Sequence, residues 1–359
     1  MKLEKNCEVA KKLVIGKESL IFIFLLVGIL GGCAAVESDP IALEKESFKS
    51  AAIDTHVHAG RWDPNDYLPW MPSVVLDGSV EKAVEQLALT MEEARVEMVL
   101  LMGDNQDWNV KGDPLGIKRC LKVAEALSIL EKPLQSKIIG AVDPSKGLNK
   151  TEMQAVKDQL DKHRDVIVSL KCYLGYHGDP MDPGYQPFYK LALDCNLPVI
   201  FHTGDTASNK TDLTKAHPLR VDEVARKYPK MRIVMAHMGN PWFTEAALTA
   251  WRHPNVWVDV SGWYVGSPKV LDEMVQSGLQ TIPGGGFIMS DIIKALTFMN
   301  KYDRILYGSD YPIVQMSSYR RFIEAVIPKE HHEKVFRKNA EELFGFNLNV
   351  PTLKASLNK

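Results

Sequence analysis

The sequence contains none of the short patterns typical of a nucleic-acid-binding or P-loop protein. It has no glycine-rich phosphate loop, no block of lysine and arginine interleaved with aromatics, and no repeat of fixed period. Its 43 basic and 45 acidic residues give a formal net charge of −2, so no general attraction to phosphate backbones is expected. Nucleic acid is therefore not an expected partner.

Cysteine is scarce. The chain has five cysteines and no Cys-x-x-Cys pair. Cys120 and Cys195 lie in predicted helices or strands, so we interpret them as small buried hydrophobic side chains. Cys172 alternates with Lys171 along a predicted strand, and we expect it to pack against helices rather than to bind a ligand.

A long hydrophobic run is also absent. Five lysines precede the apolar run 20–30, whose 11 residues are too few to cross a bilayer as a helix of about 20 residues. This order indicates a secretory signal, with an uncleaved anchor as the alternative. Residues 30–33 resemble a bacterial lipobox that is cleaved before Cys33 and acylated there. We therefore predict a signal peptide at 1–32, a lipidated tether at 33–50 and attachment to a cell-envelope membrane, inner or outer.

From residue 51 onward, short β-rich runs alternate with longer amphipathic stretches, the pattern typical of βα units around a parallel sheet. The predicted strands are residues 51–57, 96–102, 138–142, 166–173, 198–202, 232–237, 256–260 and 304–307. The predicted helices include residues 80–94, 117–130, 151–163, 185–196, 217–228 and 330–344. This order favours a single-domain α/β fold, a closed (β/α)8 TIM barrel over residues 51–346, with a C-terminal tail at 347–359.

The first predicted strand ends in Asp54-Thr55-His56-Val57-His58. Strand alternation directs His56 and His58 to one face, and neutral imidazoles placed in this way can chelate zinc or a related divalent metal. The candidates at the other strand ends are His202 after strand five, His237 after strand six and Asp310 after strand eight. A single histidine at a strand end is more often a structural group, but five such groups at one barrel rim favour a functional site.

This pattern resembles the amidohydrolase superfamily. Residues 201–204, 236–239, 307–312 and 339–345 are similar to the branch that contains aminocarboxymuconate semialdehyde decarboxylase and related metal-dependent hydrolases. The resemblance implies that His56, His58, His202 and Asp310 hold one divalent metal, zinc by preference with manganese as an alternative. It also implies that His237 or Asp310 moves the proton of a metal-activated water.

Lys171 ends the fourth predicted strand. Some superfamily members carry a carbamylated lysine there that bridges two metals, so a second ion stays open; we favour a lysine that binds a substrate carboxylate. Arg61, Trp62 and Asn240 lie in loops that follow strands, and we expect them to contact a small-molecule substrate.

Three functions compete. The first is hydrolysis of a C–N or C–O bond in a small carbonyl compound by metal-activated water. The second is non-oxidative decarboxylation at the same metal site, and release of carbon dioxide without incorporation of water would distinguish it. The third is a lipoprotein that binds a ligand without turnover. The sequence indicates neither the substrate nor the oligomeric state, and a homo-oligomer is one alternative.

Overall fold

The computed structural model describes residues 48–60, 67–103, 112–206, 209–279 and 289–346. The predicted signal peptide at 1–32, Cys33, most of the tether and the tail at 347–359 lie outside the described residues, as do Arg61 and Trp62. These stay predictions. No helix in the described ranges has the length and apolar character needed to cross a membrane.

Eight parallel strands form one sheet in the described part of the chain. They are numbered β1 to β8: Ala52–His58, Val96–Met102, Gln135–Ala141, Ile167–Cys172, Val199–His202, Ile233–Ala236, Val256–Asp259 and Ile305–Leu306. Each strand pairs with the next in sequence order. The segment after β8 returns to β1, where Thr55 N donates to Tyr307 O at 3.0 Å and Asp310 N donates to His56 O at 2.9 Å. The predicted TIM barrel is confirmed.

Helices surround this sheet. They are numbered α1 to α12: Val74–Asp77, Val80–Glu93, Lys118–Ser128, Lys150–Lys162, Tyr185–Asp194, Leu213–Ala216, Pro218–Lys227, Phe243–Arg252, Pro268–Gln276, Met289–Met299, Met316–Val326 and Asn339–Phe344. Local sequence explains several starts: Asn149 and Glu152 form a capping box on α4, and Pro218 opens α7 behind the His217 cap.

The last predicted helix, 330–344, is not continuous. A 3-10 turn at Lys329–His331 and a π-helical turn at Lys334–Lys338 precede α12. Tyr307 N donates to Val335 O at 3.0 Å, so a backbone group after β8 takes a carbonyl inside this segment. Diversion of a helix carbonyl to an outside donor is a physical reason for such a local change of helix type.

Two apolar layers fill the fold. The larger lies between the strands and the surrounding helices and includes Cys172, which is fully buried as predicted. The smaller occupies the barrel interior, where Leu100, Ile139 and Ile200 pack with Leu343 of α12. The barrel interior is therefore a packed core. The polar site lies at the C-terminal ends of the strands, on the side of the barrel away from α12.

Residues just before β1 contact the barrel. Phe48 is buried, and its ring lies 4.2 Å from the Arg320 guanidinium carbon. Arg320 also donates to Ser50 O at 2.7 Å and to Ala94 O at 2.6 Å. Phe48 and Ser50, assigned to the tether, therefore contact the barrel.

The other two described cysteines differ in burial. Cys120 is buried, as expected, and its thiol contacts Met102 O at 3.1 Å. Cys195 is only partly buried, so its interpretation as a buried hydrophobic side chain is too strong.

Candidate metal centre

Strand β1 delivers two imidazoles to the mouth of the barrel. The His56 side chain is 1% exposed and the His58 side chain 19% exposed. Their Nε2 atoms lie 3.5 Å and 3.3 Å from the same oxygen, Oδ1 of Asp310. The ligand atoms of these three residues all lie within 4.8 Å of one another, which is close enough to share one ion.

Strands β5 and β6 deliver two more. His237 follows β6, and its ring centroid lies 4.9 Å from that of His56. His202 ends β5, and its Nδ1 lies 3.2 Å from His237 Nε2. The structure thus places all five predicted residues at the carboxyl ends of four different strands. His202 contacts His237, but its ring nitrogens are not among the ligand atoms of His56, His58 and Asp310 that lie within 4.8 Å of one another.

Backbone strain marks two of these positions. His237 and Asp310 have φ values of 61° and 73°, in the left-handed region that residues other than glycine rarely adopt. Such conformations persist where the surroundings over-determine them, which is typical of functional sites. Gly204 permits the close packing of this region, because a Cβ atom there would lie 2.2 Å from Asn240 O.

Asp259, at the end of β7, connects the histidines. Its Oδ2 lies 3.0 Å from His56 Nδ1, and its Oδ1 accepts from the backbone N of His237 at 2.9 Å. The backbone N and the hydroxyl of Ser261 donate to the same Oδ1. The Ser261 hydroxyl oxygen also lies 3.0 Å from Nδ1 of both His56 and His237.

These contacts assign the histidine tautomers. The Asp259 carboxylate can only accept, so His56 donates from Nδ1 and leaves a lone pair on Nε2. His202 Nε2 donates to Asp205 O at 2.9 Å, which leaves the lone pair on Nδ1. His237 Nδ1 faces two Ser261 oxygens, one of them the carbonyl at 3.2 Å, so its lone pair is on Nε2. Lone pairs that converge in this way repel one another unless a cation or proton lies among them, so the donor set fits a divalent metal.

Burial and charge also favour this state. Burial, together with the nearby Lys171 charge, lowers the pKa of His56 to about 4. Burial likewise lowers the pKa of His202 and His237. Burial alone would raise the pKa of Asp310, but the positive charges that the surrounding histidines carry when protonated, His56 first, outweigh it and lower the pKa below its usual value. Asp310 therefore stays ionised at a pH where these imidazoles are neutral. Neutral imidazoles beside an ionised carboxylate are the forms that bind metal.

Lys171 lies inside the barrel. Its side chain is fully buried, and none of the described residues hydrogen-bonds its Nζ, which lies 5.3 Å from the Tyr173 ring centroid. Burial lowers its pKa to about 8, partly offset by Asp259 and Asp310. The ammonium is therefore charged at pH 7 and adds positive potential to the site.

Asn240 was expected to contact substrate from a loop, but its side chain is buried and hydrogen-bonded to the backbone. It is only 9% exposed, and its Nδ2 donates to Gly262 O at 3.1 Å and to Trp263 O at 3.3 Å. Its amide therefore ties the segment after β6 to the segment after β7.

Asp259 and Ser261 were missed by the sequence analysis. The available signal was the one that found Asp310, since Asp259 is the last residue of a strand whose carboxyl end lies at the same rim. A lone carboxylate among 45 acidic residues has no pattern of its own, and its main partners are backbone groups.

The fold and the site define a TIM barrel with histidine and aspartate groups that could hold a metal at the carboxyl ends of its strands. Residues 152–346, more than half of the chain, match the amidohydrolase family, and the protein belongs to that family. The predicted resemblance is confirmed.

Curated relatives match part of this chain. A gamma-resorcylate decarboxylase from Polaromonas sp. is 27% identical over 139 residues, 37% of this chain and 41% of that protein. The chain covers less than half of the length of each curated relative that it matches.

Two solved structures share the fold. An uncharacterised TIM-barrel protein from Bordetella bronchiseptica has a TM-score of 0.58 at 21% identity, over 82% of this chain and 99% of that one. A dihydroxybenzoic acid decarboxylase from Polaromonas sp., solved with manganese and 2-nitroresorcinol, has a TM-score of 0.55 at 16% identity, over 84% and 98%.

Proposed function

We propose that the protein is a metal-dependent hydrolase that cleaves a C–N or C–O bond in a small carbonyl compound. One divalent ion would be held by His56, His58, His202 and Asp310. The observation that carries this proposal is the convergence of His56, His58 and Asp310, whose ligand atoms lie within 4.8 Å of one another at the mouth of the barrel, with His202 beside them in contact with His237. Three or four nitrogen and oxygen ligands on rigid strand ends are typical of catalytic zinc or manganese sites.

A bound divalent ion would polarise a substrate carbonyl and lower the pKa of a water from about 15.7 toward 7. His237 is the residue suited to move the proton. Its Nδ1 is held by Ser261, so Nε2 presents the free lone pair toward His202. His237 can therefore accept a proton at Nε2 and return it to the leaving group, while Asp310 stays ionised.

The charge at the site favours an anionic substrate. Asp259 and Asp310 contribute two negative charges, which a divalent ion would balance, and Lys171 adds a further positive charge. Because Lys171 is not exposed, it would act through its field unless a substrate displaces its surroundings. A small organic acid that also carries an amide, ester or lactone carbonyl fits these conditions.

Decarboxylation at the same site is the second candidate. It is favoured by the name of the gamma-resorcylate decarboxylase relative, which is 27% identical over the region it shares. The two reactions are distinguished by incubating the metal-loaded protein with hydroxybenzoates and with lactones, amides and esters of small organic acids. Carbon dioxide release without incorporation of ¹⁸O from water into the organic product supports decarboxylation. Incorporation of ¹⁸O into the organic product supports hydrolysis.

Metal analysis tests the site that both reactions require. We expect about one zinc or manganese per chain in the native protein and a strong loss in His56→Ala and in Asp310→Asn, because each substitution removes a ligand. Circular dichroism controls for folding. Two equivalents would support a second ion beside Lys171. A folded native protein that binds no divalent ion contradicts the proposal, and a metal-loaded protein that binds but never converts these compounds supports a binding function.

A further inference from the structure

Asp259 lies at the centre of the hydrogen bonds that shape the site, although it is not among the proposed metal ligands. It is 1% exposed, and both of its oxygens accept hydrogen bonds. We propose that Asp259 is a positioning residue that sets two histidines at once: it selects the His56 tautomer that presents Nε2 to the ion, and it fixes the backbone that presents His237. This inference rests on the proposed metal-dependent function.

The first step concerns His56. Its ring has two nitrogens, and only the one without a proton can bind a metal. The Oδ2 of Asp259 accepts from Nδ1 at 3.0 Å, which places the proton on that side and directs the Nε2 lone pair toward Asp310 Oδ1, 3.5 Å away. An ionised carboxylate is well suited to this task because it has no proton to donate.

The second step concerns His237. Its φ of 61° is unfavourable for a histidine, and its backbone N donates to Asp259 Oδ1 at 2.9 Å. The backbone N and hydroxyl of Ser261 bind the same oxygen, and the Ser261 hydroxyl oxygen accepts from His237 Nδ1. One oxygen of Asp259 therefore positions both the backbone of His237 and the group that orients its ring.

The geometry makes Asp259→Asn a sharp test, since this change keeps size and shape. With the amide oxygen toward His237 N and Ser261 N, the amide NH₂ meets His56 Nδ1 and forces the proton onto Nε2. With the amide turned over, NH₂ meets two backbone donors instead. In either orientation one of the two functions of Asp259 is lost.

The first measurement is the dissociation constant of Zn²⁺, determined in competition with a chromophoric chelator at fixed pH. We expect Asp259→Asn to bind Zn²⁺ about 10- to 100-fold more weakly than the native protein. Asp222→Asn is the matched control, because Asp222 also accepts from a histidine, His253 Nε2 at 2.7 Å, outside the site. It should bind Zn²⁺ as the native protein does.

The second measurement reads the tautomer directly. The ¹⁵N shifts of the His56 ring in metal-free native protein should show a proton on Nδ1, and in Asp259→Asn a proton on Nε2 or a mixture. The His56 signals are assigned by their loss in His56→Gln. The native spectrum alone tests the proposal if Asp259→Asn does not fold, because a native His56 protonated on Nε2 overturns it.

The outcomes separate the two proposals. A native protein that binds neither Zn²⁺ nor Mn²⁺ overturns the proposed function, and the inference with it. A native protein that binds Zn²⁺ no more tightly than folded Asp259→Asn, with the same His56 tautomer in both, overturns the inference alone.

Discussion

Two histidine–aspartate pairs with the same chemistry occupy very different parts of this molecule. On the outside of the barrel, His253 after α8 binds Asp222 of α7 at 2.7 Å, with side chains that are 14% and 18% exposed. At the mouth, His56 binds Asp259 at 3.0 Å, with side chains that are 1% and 2% exposed. Water can hydrogen-bond to the partly exposed carboxylate of Asp222, whereas the carboxylate of Asp259 is almost fully shielded from water.

Burial makes an ion pair depend on further hydrogen-bond donors. A buried carboxylate is costly unless its oxygens receive hydrogen bonds, so the fold supplies Asp259 with backbone and hydroxyl donors from two further residues, His237 and Ser261. The outer pair joins two helices. The inner pair organises a set of histidines whose free lone pairs face one another.

The largest expected effect is on catalysis and not on stability. His237→Asn should lower kcat/KM by about 100-fold or more, since a proton-transfer group contributes about 10²- to 10⁴-fold. Asparagine tolerates the left-handed backbone at this position, so folding should be retained. Steady-state kinetics and metal content measured on the same samples check this expectation. Native-like turnover in His237→Asn would show that another residue moves the proton.

An intermediate effect concerns pH. Burial lowers the His56 pKa from 6.5 to about 4, so the unfolded chain binds this proton more readily, and the contribution of His56 to stability falls as pH drops from about 6.5 toward 4. The full loss is about 3 kcal/mol. The free energy of urea unfolding, measured in chelator at several pH values, should show this fall in the native protein relative to His56→Gln.

The difference in unfolding free energy between the native protein and His56→Gln cancels the contributions of the titratable groups that both proteins contain. Burial raises the pKa of Asp54 to about 7, which acts in the opposite direction over the same pH range. A difference between native protein and His56→Gln that does not change from pH 7 to pH 5 would contradict a buried, neutral His56.

The smallest effect is expected for the outer pair. Asp222→Asn should lower the free energy of unfolding by about 1 kcal/mol, as is typical of a partly exposed ion pair, and should leave turnover unchanged. Thermal or urea unfolding measures the first quantity and an activity assay the second. A loss of several kcal/mol would show that the outer pair stabilises the protein as much as a buried pair does.

The sequence predicted the barrel well because strand alternation and βα order are local signals. All eight predicted strands overlap observed ones, and the rule that functional groups gather at the carboxyl ends of strands correctly placed His56, His202 and Asp310 at the same rim of the barrel. The break in the last helix was not predictable, because its cause is a hydrogen bond from Tyr307, a residue about 30 positions away.

The contacts that position the site residues could not be predicted from the sequence either. Asp259 acts on residues 203 and 22 positions away, and neither separation follows any helix or strand period. The burial of Lys171 was also missed, since a lysine at a strand end is ordinarily expected to reach solvent. Sequence patterns identify which residues reach the rim, whereas packing decides how each is held.

We propose that the ends of three strands, β1, β5 and β8, supply one ion with its ligands. Crystals grown with Zn²⁺, measured by X-ray diffraction on both sides of the zinc absorption edge, test it most directly. We predict one anomalous peak within about 2.0–2.2 Å of His56 Nε2, His202 Nδ1 and an oxygen of Asp310, with His58 as the fourth protein ligand. A strong peak elsewhere, with none among these residues, would contradict it.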